Sequence, residues 1–376
     1  MPTGPSILLA MTGLSLDGGI SSVSRSMVDI LERARDEGRC GAIDRVLLLD
    51  EATAPRYGTT QGRESRARGS QPRFVAQMWL EILRGRPDFV LFDHVGLARG
   101  LFPGWPVPRP EYRIFVHGLE LRGADGDRRG DALRGASSIL ANSDFTNEML
   151  SEMIPELAPR ITTVPLCVEP NRIQEWTDRR PDSAAGAERK PAALIVGRMW
   201  KDQPGKGHEA LIDGWPKVVE RIPGAELWIV GGGDQVEDLT SRARDRGVAD
   251  AVVFQGRVSD ERLSELYSEA SVFAMPSAQE GFGLVYLEAM WHGLPCVAST
   301  MDAGQFVVDE ESGRLVPYGD ADATADAIVT LLSDPVDLAR RGELARTRVE
   351  TRFSFGAFEV NLCEALGIEP PMVGSD

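Results

Sequence analysis

Two glutamates eight positions apart, Glu280 and Glu288, bracket a small turn and an apolar run in the stretch PSAQEGFGLVYLEAMWHGLPCVAS, residues 276–299. Carboxylates accept hydrogen bonds from sugar hydroxyls. Glu280 stands just before Gly281-Phe282-Gly283, and Glu288 closes the run Leu284-Val285-Tyr286-Leu287. The pattern predicts a strand over residues 270–275, a glycine-containing loop, a helix from about Phe282, a glycine stop at Gly293 and a strand over 295–299. A helix starting there turns free backbone N–H groups and a partial positive charge toward the loop, a place for an anion such as a diphosphate. The bland alternative is an ordinary βαβ unit carrying surface glutamates.

Other residues carry chemistry in the same way. A predicted strand over 192–196 runs into Gly197-Arg198, and Lys206-Gly207 precedes a predicted helix from His208. A strand over 226–230 is closed by Gly231-Gly232-Gly233-Asp234, where glycine permits close approach of backbone to phosphate. His117 ends a predicted strand over 113–117, and the carboxyl ends of parallel strands face the ligand crevice of open α/β sheets. Composition alone leaves a purely structural histidine open. At the start, a strand over 6–11 leads into a loop with Gly13, Asp17, Gly18 and Gly19. Ile20, Val23, Met27, Ile30 and Leu31 follow at helical spacing. That opens a Rossmann-like unit without matching G-x-G-x-x-G, so dinucleotide binding is poorly supported.

The elements that must position these residues alternate strand and helix along most of the chain. Strands are predicted over 45–50, 89–92, 138–141 and 251–255, and helices over 74–83, 259–268, 320–332, 336–352 and 353–366. Ser143 or Asp144 can cap the helix after 138–141, and Ser259 the helix that follows it. Residues 55–73, with five arginines (Arg56, Arg63, Arg66, Arg68, Arg73), read as a loop able to touch an anionic acceptor or lipid headgroups, or as merely solvated. Residues 177–191 are polar with small side chains and proline, the best linker.

A chain of 376 residues exceeds one core and predicts two domains. No 18-residue apolar run occurs, and the N-terminus lacks a basic n-region, so neither a membrane span nor a signal peptide is read. Four scattered cysteines without a C-x-x-C pair argue against zinc and a disulfide framework and fit a reducing cytoplasm. Residues 1–170 hold 20 basic and 22 acidic side chains, and the remainder 21 and 35. The acidic second half should repel nucleic acid. The near-neutral first half is the better candidate for an anionic partner or peripheral contact with the inner face of a membrane.

Glu280-Gly281-Phe282-Gly283 with Glu288-Ala289-Met290 resembles the E-x7-E signature of the retaining GT-B glycosyltransferases, glycosyltransferase family 4. The Asn142-Ser143-Asp144-Phe145-Thr146 stretch, the Gly197-Arg198 and Lys206-Gly207 pairs, and Gly313 to Pro317 resemble further segments of that family. Two places depart from it. Val164-Pro165-Leu166-Cys167-Val168-Glu169 lacks the usual Asn-Gly, and Phe306 replaces an acidic residue before Val307-Val308.

The resemblance implies α/β architecture of the GT-B kind, two Rossmann-like domains whose parallel sheets face a central cleft. Residues 1–176, joined by the terminal helix over about 355–376, would bind the acceptor, and residues 177–354 the donor. The implied reaction moves a sugar from a UDP- or GDP-sugar to a glycan, lipid-linked or small-molecule acceptor, with retention and without metal or other cofactor. By the same resemblance Arg198 and Lys206 hold the diphosphate. Glu288 accepts from the ribose hydroxyls. Glu280, with the N–H groups of Phe282 and Gly283, holds the donor sugar, and His117 lines its pocket. Gly18 and Gly19 match a glycine pair near the donor phosphate, and backbone near Gly256-Arg257-Val258 holds the base. Gly197, Gly231, Gly232, Gly281 and Leu284 complete the donor set. Fold does not fix function. A nucleotide-dependent oxidoreductase, a non-catalytic nucleotide-sugar binder and an epimerase remain open. A phosphorylase would need pyridoxal phosphate on one of only four lysines.

Overall fold

The computed structural model describes residues 4–16, 18–58, 61–101, 109–178, 189–202 and 205–371. Asp17, residues 59–60 of the arginine-rich stretch, residues 179–188 of the expected linker and Pro204 lie outside that set. The chain divides into two compact units, Met1–Glu169 with Phe355–Asp376, and Pro170–Ser354.

The first unit is built on seven strands: β1 (Ile7–Met11), β2 (Ile43–Leu47), β3 (Glu64–Arg66), β4 (Phe89–Phe92), β5 (Glu111–Val116), β6 (Ser138–Ala141) and β7 (Ile161–Thr163). They pair in the order β3-β2-β1-β4-β5-β6-β7, all parallel. Every residue of β1 and β4 is buried, which is why both read as unbroken apolar runs: helices cover both faces of a parallel sheet. The helix Gly19–Asp36 follows β1, and Gln71–Gly85 leads toward β4. Phe74, Met78 and Trp79 of the latter pack into the same core as Leu8, Val90 and Ile114.

The terminal helix Phe355–Ala365 belongs to this unit. Its buried Glu359 pairs with Arg33 at 3.0 Å and Arg39 at 3.0 Å, and Arg33 lies over the Phe355 ring.

The second unit carries β8 (Ala192–Val196), β9 (Glu226–Val230), β10 (Val252–Gly256), β11 (Val272–Met275), β12 (Cys296–Ser299) and β13 (Gly313–Val316), in the order β10-β9-β8-β11-β12-β13, again parallel. Both sheets thus place their first strand in the middle and grow outward in two directions, the doubly wound arrangement. The switch point lies between β1 and β4 in one unit and between β8 and β11 in the other.

The stretch 55–73 corrects the expectation of a loop. Residues 64–66 are edge strand β3, and the helix capped by Ser70 begins at Gln71. Its arginines are largely spent inside the unit. Arg66 holds Glu64 at 2.7 Å, Arg63 holds Asp44 and Glu81 at 2.6 Å each, and Arg56 reaches Glu64 at 3.7 Å. Glu64 in turn faces the buried Arg45 at 3.4 Å, which also pairs with Glu32 at 3.2 Å. A buried guanidinium needs such partners, and the periodic pattern of hydrophobic residues gives no sign of them.

Candidate active site

In the second unit, β8 and β11 are neighbours whose connections leave in opposite directions, so the segments after them open side by side. Gly197 and Arg198 follow β8, and Gly197 N–H donates to Val230 O at 3.0 Å. Arg198 is exposed and makes no hydrogen bond or ion pair among the described residues.

The glycine run after β9 has a local reason. A Cβ on Gly231, whose φ is +133°, would lie 1.9 Å from Gly197 O, and one on Gly233 would lie 1.9 Å from Met199 O. The end of β9 therefore presses directly beneath the 197–199 backbone. Gly231 N–H donates to Gly256 O, and the exposed Arg257, without a hydrogen bond or ion pair among the described residues, extends beside Gly232. Val258, next in sequence, is half-buried.

Lys206 reaches the site on a glycine hinge. Gly207, at φ +92°, caps the helix His208–Arg221, and a Cβ there would meet Pro276 O at 2.7 Å. Ala278 N–H donates to Gly205 O at 2.8 Å, so the two loops are stitched together. Across this seam Lys206 Nζ pairs with Glu280 Oε1, each side chain 16% exposed.

Asp302, fully buried, orders the loop from beneath. Its carboxylate accepts from Ser277 Oγ at 2.6 Å, Glu280 N–H at 2.9 Å and Gly304 N–H at 2.9 Å. Burial pushes its pKa up to about 6 against the lowering pull of those donors. Gly283 (φ +88°) caps the helix Leu284–Trp291, whose first-turn N–H groups open toward the loop. Phe282 is buried edge-on against Phe353 at 5.7 Å.

Glu288, in the middle of that helix, has different partners. Its side chain is 8% exposed, Arg172 lies 3.1 Å from Oε1, and Tyr267 Oη donates to Oε2 at 3.0 Å. Tyr267 is buried, and burial with the nearby Glu288 carboxylate raises its pKa well above the ordinary phenol value, so it remains a donor. Arg172 comes from the helix Pro170–Asp178, where the sequence pattern shows only a turn and the onset of a linker. The missed signal is Arg172 and Trp176 four apart on one helical face, the guanidinium 5.2 Å over the indole. Asp302 escapes sequence reasoning as well. It lies four residues before Phe306, beneath the loop it anchors.

In the first unit, His117 follows β5 and donates from Nε2 to Asp93 O at 2.8 Å. Its own N–H is held by Glu120 Oε1 at 2.5 Å, and its carbonyl accepts from Asn142 Nδ2 at 3.0 Å. The ring is thus fixed, with Nδ1 free of partners among the described residues. Asp93, fully buried at the end of β4, accepts from Thr12 N–H and Oγ1 and from Ser24 Oγ, tying the loop after β1 to the histidine's support. Burial holds its pKa above the usual carboxylate value. Asp50 accepts from Leu14 and Ser15 N–H groups, and Arg25 Nη1 donates to Leu14 O and Leu16 O, so the described part of the loop is bound on both sides. Gly18 caps the first helix at φ +126°, with open space where a Cβ would stand, and Gly19 is that helix's first residue. The backbone angle, not crowding, requires glycine at 18.

Among the described residues no group of three His, Cys, Asp or Glu side chains could hold a metal ion, the four cysteines are buried free thiols, and no helix is long and apolar enough to cross a membrane.

Residues 190–334 match the family model described as glycosyl transferases group 1. The GDP-mannose-dependent alpha-(1-6)-phosphatidylinositol monomannoside mannosyltransferase of Mycobacterium tuberculosis is 34% identical over 207 residues, 50% of this chain and 53% of that protein. The chain thus spans about half the length of these curated relatives. The sucrose-phosphate synthase of Thermosynechococcus elongatus superposes with a TM-score of 0.72 at 22% identity, covering 96% of this chain and 98% of the other. Anabaena HepE in complex with UDP gives 0.72 at 19% identity, covering 96% and 99%. These solved structures establish the architecture, two Rossmann-like units in the GT-B manner. The family match thus falls within the second unit, on a chain of GT-B fold.

Proposed function

We propose that this protein is a retaining glycosyltransferase that moves a sugar from a nucleoside diphosphate sugar to an acceptor hydroxyl without a metal ion. The observation that carries the reading is the convergence, at the switch point of the second unit, of Arg198, Lys206, Glu280 and the glycine-capped start of the helix Leu284–Trp291.

The chemistry follows from charge. As the glycosidic bond breaks, the electron pair stays with the diphosphate oxygen. Fixed cations and aimed N–H groups stabilise that growing negative charge. Arg198 is open to take it, and Lys206 can turn from Glu280 toward it. Glu280, oriented through Asp302, accepts from sugar hydroxyls, and Glu288 accepts from the ribose. His117 supplies Nδ1 to a hydroxyl of the donor sugar. Gly18 and Gly19 give backbone N–H groups beside the donor phosphate, and backbone at Arg257 and Val258 meets the base. Retention then proceeds by front-face substitution: the acceptor oxygen bonds to the anomeric carbon on the face the diphosphate leaves, and the hydroxyl proton passes to the departing diphosphate oxygen.

GDP- and UDP-sugars are the donors to try first, since the similar mannosyltransferases are GDP-mannose-dependent and a structural neighbour holds UDP. A lipid-linked or glycan acceptor has the same kind of support, the phosphatidylinositol monomannoside in that relative's name. Contact of the first unit with a membrane surface would follow from such an acceptor. The test is turnover of donor sugars in chelator with an acceptor panel, with the product's anomeric configuration read by NMR. The expected product keeps the donor's configuration. Inversion, or strict dependence on added divalent metal, contradicts the proposal.

A further inference from the structure

His94 and His117 follow neighbouring strands of the first unit, β4 and β5, and their hydrogen bonds fix which ring nitrogen carries the proton. His94 Nδ1 accepts from Gly96 N–H at 2.9 Å; a backbone N–H only donates, so Nδ1 is bare and the proton sits on Nε2. His117 Nε2 lies 2.8 Å from Asp93 O; a carbonyl only accepts, so there too the proton sits on Nε2. The tautomer is the same, but opposite atoms are left over. His117 keeps the acceptor Nδ1, and His94 keeps the donor Nε2–H, each without a partner among the described residues. Charging His94 would put a proton on Nδ1 and break its bond to Gly96 N–H. Burial also lowers its pKa, against the raising pull of the Glu120 and Asp93 carboxylates, so at neutral pH it is an uncharged donor.

Glu120 completes the group. It belongs to the turn Leu119–Leu121, against which the short helix Val95–Ala98, capped by His94, packs. Its Oε1 accepts from the His117 N–H at 2.5 Å, which fixes the carboxyl, and Oε2 has no hydrogen bond among the described residues. His94, His117 and Glu120 are all half-buried. A donor that cannot accept thus stands near an acceptor that cannot donate. One hydroxyl satisfies both, its oxygen accepting from His94 Nε2–H and its proton going to Glu120 Oε2. An ether oxygen serves only the histidine, and a phosphate would set its charge against the Glu120 carboxylate. On the transferase reading above, on which this inference rests, the first unit receives the acceptor. We propose that His94 and Glu120 read a neutral hydroxyl of the acceptor, so that the part of the acceptor held here is a polyhydroxylated ring and not a phosphate.

The experiment uses the full chain labelled with 15N-histidine, whose four histidines give few enough signals for His94 to be assigned by its loss in His94→Asn. The protein is first saturated with whichever of UDP, GDP and ADP binds. Methyl α-mannopyranoside, myo-inositol and inorganic phosphate are then titrated in, with ring binding also read by saturation transfer to the ring protons. One of the rings is expected to move the His94 Nε2 resonance saturably, and inorganic phosphate to leave it in place. His94→Asn keeps an oxygen to cap Gly96 N–H, so its melting should match the wild type while ring binding weakens about fivefold or more, the scale of one hydrogen bond. Glu120→Gln should weaken the ring similarly, and neither variant should change the affinity for the nucleoside diphosphate. A merely structural cap is served equally by asparagine, so wild-type ring binding in His94→Asn would overturn the inference. So would displacement of the ring by inorganic phosphate, or no ring binding by a wild type that holds its nucleoside diphosphate. Failure of the wild type to bind any nucleoside diphosphate would instead overturn the transferase reading itself.

Discussion

Lys206 and Glu280 share one ion pair between two roles, because the cation that orients the carboxylate is also the one that can meet the leaving diphosphate. Replacing Lys206 with Ala removes both effects. Turnover should fall by about 10²-fold or more, the scale for one transition-state charge stabiliser. Near-normal turnover in that variant would exclude the assignment. Asp302 acts one step back. Ionised, it accepts from the Glu280 N–H, and protonation near pH 6 weakens that acceptor. The rate should therefore show an acid limb near pH 6 that is missing from Asp302→Asn, whose plateau lies lower.

His208 titrates in the opposite sense. Burial first, then the neighbouring Lys206 charge, lowers its pKa to about 4, so the folded protein holds it neutral. A depressed histidine gives stability that is present above its unfolded pKa near 6.5 and is lost as pH falls toward 4. Between pH 7 and pH 5 the stability difference between wild type and His208→Gln should move by about 2 kcal/mol in the variant's favour, read by urea titration at the two pH values.

At the scale of elements, the site depends on backbones that touch. Gly207 holds φ +92° with Pro276 O where its Cβ would be, and Gly231 holds φ +133° against Gly197 O. Gly207→Ala must either unstitch the seam between the two loops or strain the cap of the helix His208–Arg221. The melting temperature should drop, and Lys206 should lose its register against Glu280, so that nucleotide binding weakens with it. An alanine variant with wild-type melting and binding would contradict the role given to this contact.

These contacts also explain what sequence could and could not reveal. Strands β4, β6, β8 and β9 were legible to the residue, because buried parallel strands are apolar runs with glycine or polar stops. Edge strand β3, Glu-Ser-Arg, has no apolar signature, since its side chains are half-buried and bind one another. The helix Pro170–Asp178 was hidden for a similar reason. It buries only Trp176 and is held by Arg172 reaching residues far along the chain.

At the scale of the molecule, both units repeat one topology, with the chemistry at the equivalent place: His117 and its Asp93 support beside one switch point, Arg198, Lys206 and Glu280 at the other. The doubly wound order was legible, because periodic apolar runs and glycine stops carry it. The support for each site residue was not. Tyr267 and Asp302 act across 21 and 22 positions of sequence on the glutamates they hold, and Arg172 acts from much farther away. No local pattern announces a contact made at that range. The excess acidity of the second half sits in the unit proposed to bind a diphosphate, so on that proposal local fields, not net charge, carry recognition there.

On the proposed function, the second unit binds a nucleoside diphosphate through Arg198 without metal. The measurement is calorimetric titration of the full chain with UDP, GDP, ADP and NAD in chelator, on wild type and Arg198→Ala. Micromolar binding of one nucleoside diphosphate is expected, weakened about tenfold or more by the substitution, the range for hydrogen bonds to a charged group. Binding of NAD alone, or of a nucleoside diphosphate with equal affinity to both proteins, would contradict it.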